Sequence, residues 1–156
     1  MNNFEEFKKK IKKIENKKLI VGWADSTRYP SGKLVSEVAI IQEYGNGKIP
    51  ARPFMKPAKD KFYPQWAKIF GATYDWEILG QSVRADIQLS IENVNSPKLA
   101  PLTIALRNYK HKMGISIVQP KDFYKAFKLK GWQDYQNQHP LIDTSLMLDS
   151  VDFKII

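Results

Sequence analysis

Between Asp75 and Val94 the chain reads DWEILGQSVRADIQLSIENV, and this stretch limits the fold more than any other. Trp76, Leu79, Val83, Ile87, Ile91 and Val94 recur at steps of three or four along its whole length. A helix gathers side chains at that spacing onto one face, so the segment predicts a long helix with a continuous apolar stripe turned to a core. Asp75 is placed to cap its start, and Asn95-Ser96-Pro97 to stop it.

Shorter elements surround this helix. Phe4, Phe7, Ile11 and Ile14 form one apolar stripe on an otherwise lysine-rich N-terminal helix. Such a basic amphipathic helix can lie on a membrane surface. Docking on its own domain is the expected arrangement, because a strand-like LIVGWAD (Leu19 to Asp25) follows at once. LVSEVAIIQEYG predicts a helix with Leu34, Val35, Val38 and Ile41 on one face, stopped by Gly45 and Gly47. FMKPAKDKFYPQWAKIF predicts a further helix, interrupted near Pro64. PKLAPLTIALRNYK places a helix start near Leu102, and GISIVQP is strand-like. At the C-terminal end DTSLMLDS reads as a capped turn of helix and VDFKII as a strand. A chain of 156 residues with 43% hydrophobic and 12% aromatic content can bury one ordinary core. No internal repeat or divisive linker is present. The reading is α+β: a single domain over 1–156, with a small, mostly antiparallel sheet packed by several helices.

The segment KIPARPFMKPA, Lys48 to Ala58, has prolines at 50, 53 and 57. Each fixes its own φ and pushes the preceding residue towards extended backbone, while Pro53 or Pro57 is tolerated in a first helical turn. A segment stiffened in advance loses little conformational entropy when its anchors are gripped. Arg52, Phe54 and Met55 are therefore candidate contacts to another protein copy, with Arg52 pairing with a carboxylate beside the pocket. The competing reading, that the segment packs Phe54 into its own core, stands level with it.

Charge and composition narrow the function. The 25 lysines and arginines outnumber the 16 acidic residues, giving a net charge of +9. That surplus favours polyanions, but on charge alone plain solubility ranks slightly ahead. No cysteine is present, which removes disulfides, thiol catalysis and thiolate metal sites and fits a reducing cytoplasm. No apolar run nears the roughly 20 residues of a membrane span, and the N-terminal segment has no signal-peptide core. No membrane contact is expected. His111 and His139 are isolated, with no metal-binding or catalytic pattern around them, and no phosphate-cradling glycine loop occurs. LIDTS echoes the aspartic-protease element, but capping of the following helix by Asp143 or Thr144 explains it without a strand-rich enzyme fold. The expectation is a non-enzyme without cofactor or metal.

From Lys110 to Tyr135 lysines alternate with aromatic residues. Lys110, Lys112, Lys125, Lys128 and Lys130 are the candidate DNA-facing cations. Phe123, Phe127 and Trp132 are candidate subunit contacts, since aromatic residues are enriched at protein interfaces and stack on bases mainly in single strands. The interface reading is favoured.

The ordered elements resemble the tail-completion and neck proteins of tailed bacteriophages, a group also described as virion morphogenesis or minor tail proteins. The resemblance rests on the VGW strand, on VAIIQEYGNGKIPARPFMKPA, on KLAPLTIALR with Leu99, Ala100, Pro101, Leu102, Thr103, Ile104 and Arg107, and on HPLIDTSLMLDSVDF. Ser145 stands where that family usually has glycine, so a local change of backbone is expected there. The stretch 111–138 is longer than the expected connection and reads as an inserted arm. The resemblance implies a structural subunit of a ring, sixfold in tails of this kind, that completes the tail or joins it to the head. Its partners would be itself, other tail, neck or connector proteins and, non-specifically, genome DNA. Its place would be the virion, after synthesis in the bacterial cytoplasm. A basic nucleic-acid-binding module is the alternative.

Overall fold

Asp75 starts the organising helix as expected. In the computed structural model, which describes residues 3–24 and 26–156, its carboxylate accepts the backbone N–H groups of Glu77 at 2.8 Å and Ile78 at 3.3 Å. These satisfy two of the donors that a helix start leaves unpaired. The chain runs α1 (Asn3–Ile14), β1 (Leu19–Trp23), α2 (Val35–Tyr44), α3 (Met55–Thr73), α4 (Trp76–Glu92), α5 (Pro101–Met113), α6 (Phe123–Lys128), α7 (Leu146–Asp149) and β2 (Val151–Ile155). The architecture is α+β, a single domain. Asp25, expected at the end of the first strand, lies outside the described residues.

α3 and α4 form a tight helical hairpin, pinned midway by the Trp66 indole N–H donating to Asp86 at 2.7 Å. β1 and β2 pair antiparallel, Leu19 opposite Ile155 and Trp23 opposite Val151. A two-stranded sheet is marginal alone and needs a helix against one face. Here α4 lies on it, with Gly80 where a Cβ would clash with the Phe153 ring. The core gathers Val35 and Ala39 of α2, Phe54, Ala58 of α3, Val83, Ile87 and Ile91 of α4, Leu141, Met147 and Val151. Phe54, Ile91, Val35 and Val151 are its largest fully enclosed side chains, each worth about 1.5–3 kcal/mol of transfer free energy. A second, smaller cluster of Ala105, Tyr109 and Ala126, flanked by Leu106, Ile115, Leu129 and Trp132, fastens the arm onto α5.

Four local expectations are corrected. α3 continues through Pro64. Pro64 and Asp60 are both exposed, so the carbonyl left without a helical donor sits on the wet face. Residues 114–120 form no strand: the sheet consists of β1 and β2, and this segment pairs with neither. Neither Asp143 nor Thr144 caps α7. The cap position is Ser145, without a side-chain bond, and Asp143 turns to two cations instead. Finally, α1 forms as a helix but does not bury its stripe. Phe4, Phe7 and Ile11 stay 58%, 48% and 38% exposed.

Gly45 ends α2 with φ +71°, and a Cβ there would lie 2.8 Å from the Ala51 nitrogen. Glycine is therefore required on both steric counts. The Asn46 side chain then accepts from Lys48 and Ile49, and the Arg52 N–H donates to the Gln42 carbonyl. The proline-stiffened segment is thus folded back alongside the helix it has just left.

Candidate subunit interface

This return brings Phe54 inward. Its ring is fully buried and meets Trp23 edge-on at 5.8 Å. The Trp23 indole N–H in turn donates to the Met147 carbonyl at 2.8 Å. Phe54 is therefore a core anchor, and the expectation that it contacts another copy is corrected. Met55 is half-buried and packs against the same core.

Arg52 is corrected as well. It is buried, with Nε–H donating to the Pro97 carbonyl at 2.8 Å, Nη2 to the Lys98 carbonyl at 3.1 Å and Nη1 to the Gln42 amide oxygen at 3.3 Å. No carboxylate pairs with it among the described residues. Burial pulls its pKa below the ordinary arginine value. Arg52 joins the end of α2 to the loop after α4, so the stiff segment serves the fold.

Sequence reasoning missed Glu43. This buried carboxylate in the last turn of α2 accepts from the backbone N–H of Phe54 at 2.7 Å, Met55 at 2.9 Å and Lys56 at 2.9 Å. It caps α3 from another helix, satisfying donors and the positive end of the helix dipole together. Its spacing held the signal: Val35, Ala39 and Glu43 follow at steps of four.

α5 and the segment 139–143 form a second lock. Arg107 of α5 donates to the carbonyls of His139 at 2.6 Å, Ile142 at 3.3 Å and Pro140 at 3.3 Å, and its Nε stands 3.4 Å from Asp143. Lys110 meets the other oxygen of Asp143 at 2.6 Å. Burial lowers the Arg107 pKa, and the charge of Asp143 opposes that. His139 completes the lock. Its Nδ1 accepts from the N–H groups of Leu141 and Ile142, which leaves Nε2–H to donate to the Glu92 carbonyl at 2.8 Å. Lys110 is thus partly buried and engaged in an ion pair.

Beside this lock opens a cavity of about 590 Å³, walled by Val38, Leu106, Ile115, Leu141 and Leu146, with Tyr29 and the Lys110–Asp143 pair among its polar lining. The Tyr29 phenol is pushed up by burial first and by the Asp143 charge second, with Arg107 acting against both. Ser145, also on its wall, has φ +58°, the left-handed conformation that glycine favours. The serine holds the glycine-like shape.

The arm retains the remaining candidates. Ala126 pins α6 from one side, while Phe123, Tyr124 and Phe127 remain 42%, 69% and 43% exposed. Trp132 is half-buried and meets Phe127 edge-on at 5.3 Å. Lys112, Lys125, Lys128 and Lys130 are exposed. Lys112 donates to the Lys130 carbonyl, Lys125 lies 3.6 Å from Asp122 and Lys128 sits over the Tyr124 ring at 4.2 Å. His111 stacks near Tyr135 at 5.9 Å. No helix among the described residues is long and apolar enough to cross a membrane. No protein-family model, curated protein or solved structure matches the chain.

Proposed function

We propose that this chain is a structural assembly subunit, one copy of a ring that completes the tail of a tailed bacteriophage or joins it to the head, with no bond-making chemistry of its own. The observation that carries this reading is α6. A helix held to the body through Ala126 presents Phe123, Tyr124 and Phe127 outward together, where a solitary protein gains nothing from wet aromatic rings. The segments that carry the phage resemblance support it in a different way. Arg52, Glu43 and Arg107 lock loops to helices inside the body and leave the arm and α1 to make contacts. Light scattering tests the reading. The wild type forms a closed oligomer, and Phe123→Ser with Phe127→Ser lowers its mass without unfolding the body. A protein that stays monomeric at every concentration refutes it, as do virions that lack this chain and still mature.

One observation favours a second reading, a nucleic-acid-binding module. Tyr124 and Lys128 form an exposed aromatic–cation pair near Lys125, the kind of surface that stacks a base and meets a phosphate. DNA titration at two salt concentrations separates the two. Weak, sequence-blind binding with a steep salt slope accords with a channel-lining assembly protein, whereas tight, sequence-selective binding by a monomer favours the module.

A further inference from the structure

Val38 of α2, Leu106 of α5, Ile115 and Val118 of the arm and Leu146 of α7 are all half-buried, and all line the cavity of about 590 Å³ beside the Arg107 lock. That volume falls within the roughly 300–1,000 Å³ of small-molecule sites, which pair apolar walls with a few convergent polar groups. Here the polar end carries an excess of positive charge. The charged residues of the lining are Arg107, Lys110 and Asp143, two cations against one carboxylate. Burial lowers the Arg107 pKa most and Asp143 opposes it, while the charge of nearby Arg52 adds to the lowering. Cations crowded into partly buried surroundings are stabilised by an anion. Donors are also to spare. Among the described residues the Lys110 ammonium spends one N–H, on Asp143 at 2.6 Å, and keeps the others free. The Tyr29 phenol has no hydrogen-bond partner among the described residues. Its pKa is raised by burial and then by the Asp143 charge, which sets the phenol, still protonated, near the ion pair.

We propose that this cavity binds a small amphipathic carboxylate, its apolar body among Val38, Leu106 and Leu146 and its anionic head on Lys110 and Tyr29. The site is independent of how many copies of the chain assemble. A single surplus charge matches a monoanion better than a phosphate monoester, which carries nearly two charges at neutral pH. The same surplus repels a metal cation. An inserted peptide fits less well, because its backbone N–H and C=O groups would lie against apolar walls without partners. A small carboxylate brings one charged group, and the spare donors stand at one end of the cavity to receive it.

Octanoate and octanol are the probes, since they share an apolar body and differ in the head. Calorimetric titration of the wild-type chain gives an octanoate Kd on the order of a few hundred micromolar. Octanol binds about tenfold more weakly, the loss expected for one charged hydrogen bond. Lys110→Met removes the surplus charge, weakens octanoate about tenfold and leaves octanol unchanged. Val38→Trp puts an indole into the apolar end and abolishes binding of both, with circular dichroism showing an intact fold. Absence of octanoate binding at millimolar concentration overturns the inference. Wild-type affinity for octanol that equals or exceeds that for octanoate does so too, and this comparison needs no variant to fold. Octanoate binding that a folded Lys110→Met protein leaves unchanged removes the assigned head contact and the inference with it. Binding that survives in folded Val38→Trp overturns it as well, because the probe then sits elsewhere, as on the exposed rings of α6.

Discussion

The Glu43 carboxylate, at the end of α2, lies 2.7 Å from the backbone nitrogen of Phe54, the residue immediately before α3. One acid therefore sets where one helix ends, where the next begins and how deep Phe54 sits. Glu43→Ala leaves buried N–H donors without an acceptor and lowers unfolding free energy by about 3 kcal/mol. Glu43→Gln retains one acceptor oxygen and loses about 1.5 kcal/mol. Urea unfolding with an unchanged denaturant slope checks both. A loss under about 0.5 kcal/mol for the alanine variant means that the cap contributes nothing.

Gly80 makes a comparable prediction at the helix–sheet contact. A methyl group there displaces the Phe153 ring, and Gly80→Ala costs about 2 kcal/mol despite the better helix propensity of alanine. Gly80→Ala with Phe153→Ala is less unstable than the sum of the two single changes. Simple additivity in that cycle rules the contact out as the cause.

Ser145 holds φ +58°, which costs a residue with a Cβ roughly 1 kcal/mol. Ser145→Gly relieves this strain and raises stability by a few tenths to about 1 kcal/mol, after the added freedom of the unfolded chain. Thermal unfolding reads the shift directly, and a lower melting temperature contradicts it.

Tyr29 gives a pH dependence with a defined sign. Burial raises its folded-state pKa above 10.0, the ordinary phenol value. As pH climbs past that value the unfolded chain releases the phenol proton first, so it binds fewer protons and stability falls. The contribution is complete below the ordinary value and disappears as pH rises through the folded one. Tyr29→Phe therefore loses less stability than the wild type between pH 9 and pH 11, measured by urea unfolding. Parallel curves refute the assignment.

The regular elements could be read in advance because period and capping are local properties. The stripe of α4 follows from spacing, the cap at Asp75 from residue type and both strands from short apolar composition. Phe54 could not be placed that way. Prolines report that a segment is stiff, but which side of it faces the core depends on Gly45 turning the chain and on Glu43 waiting for it. Arg52 and Arg107 were legible as charges, whereas their acceptors are backbone carbonyls from distant loops, which carry no signature in side-chain order. The arm was legible as a stretch that mixes lysines with aromatic residues. Its division into a face held by Ala126 and a face left wet emerges only from packing on α5.

Leu19 finds its partner in Ile155, so the first strand is born long before the second. At ordinary translation speeds of about 5–20 residues per second, β1 waits on the order of ten seconds before β2 is made. Throughout that interval the Trp23 indole lacks the Met147 carbonyl, and Gly80, once made, still lacks the Phe153 ring that covers it. The nascent molecule is an open book whose covers meet only once the second strand has emerged, which makes the interval between the two strands the period when a chaperone or a wrong neighbour has the greatest opportunity.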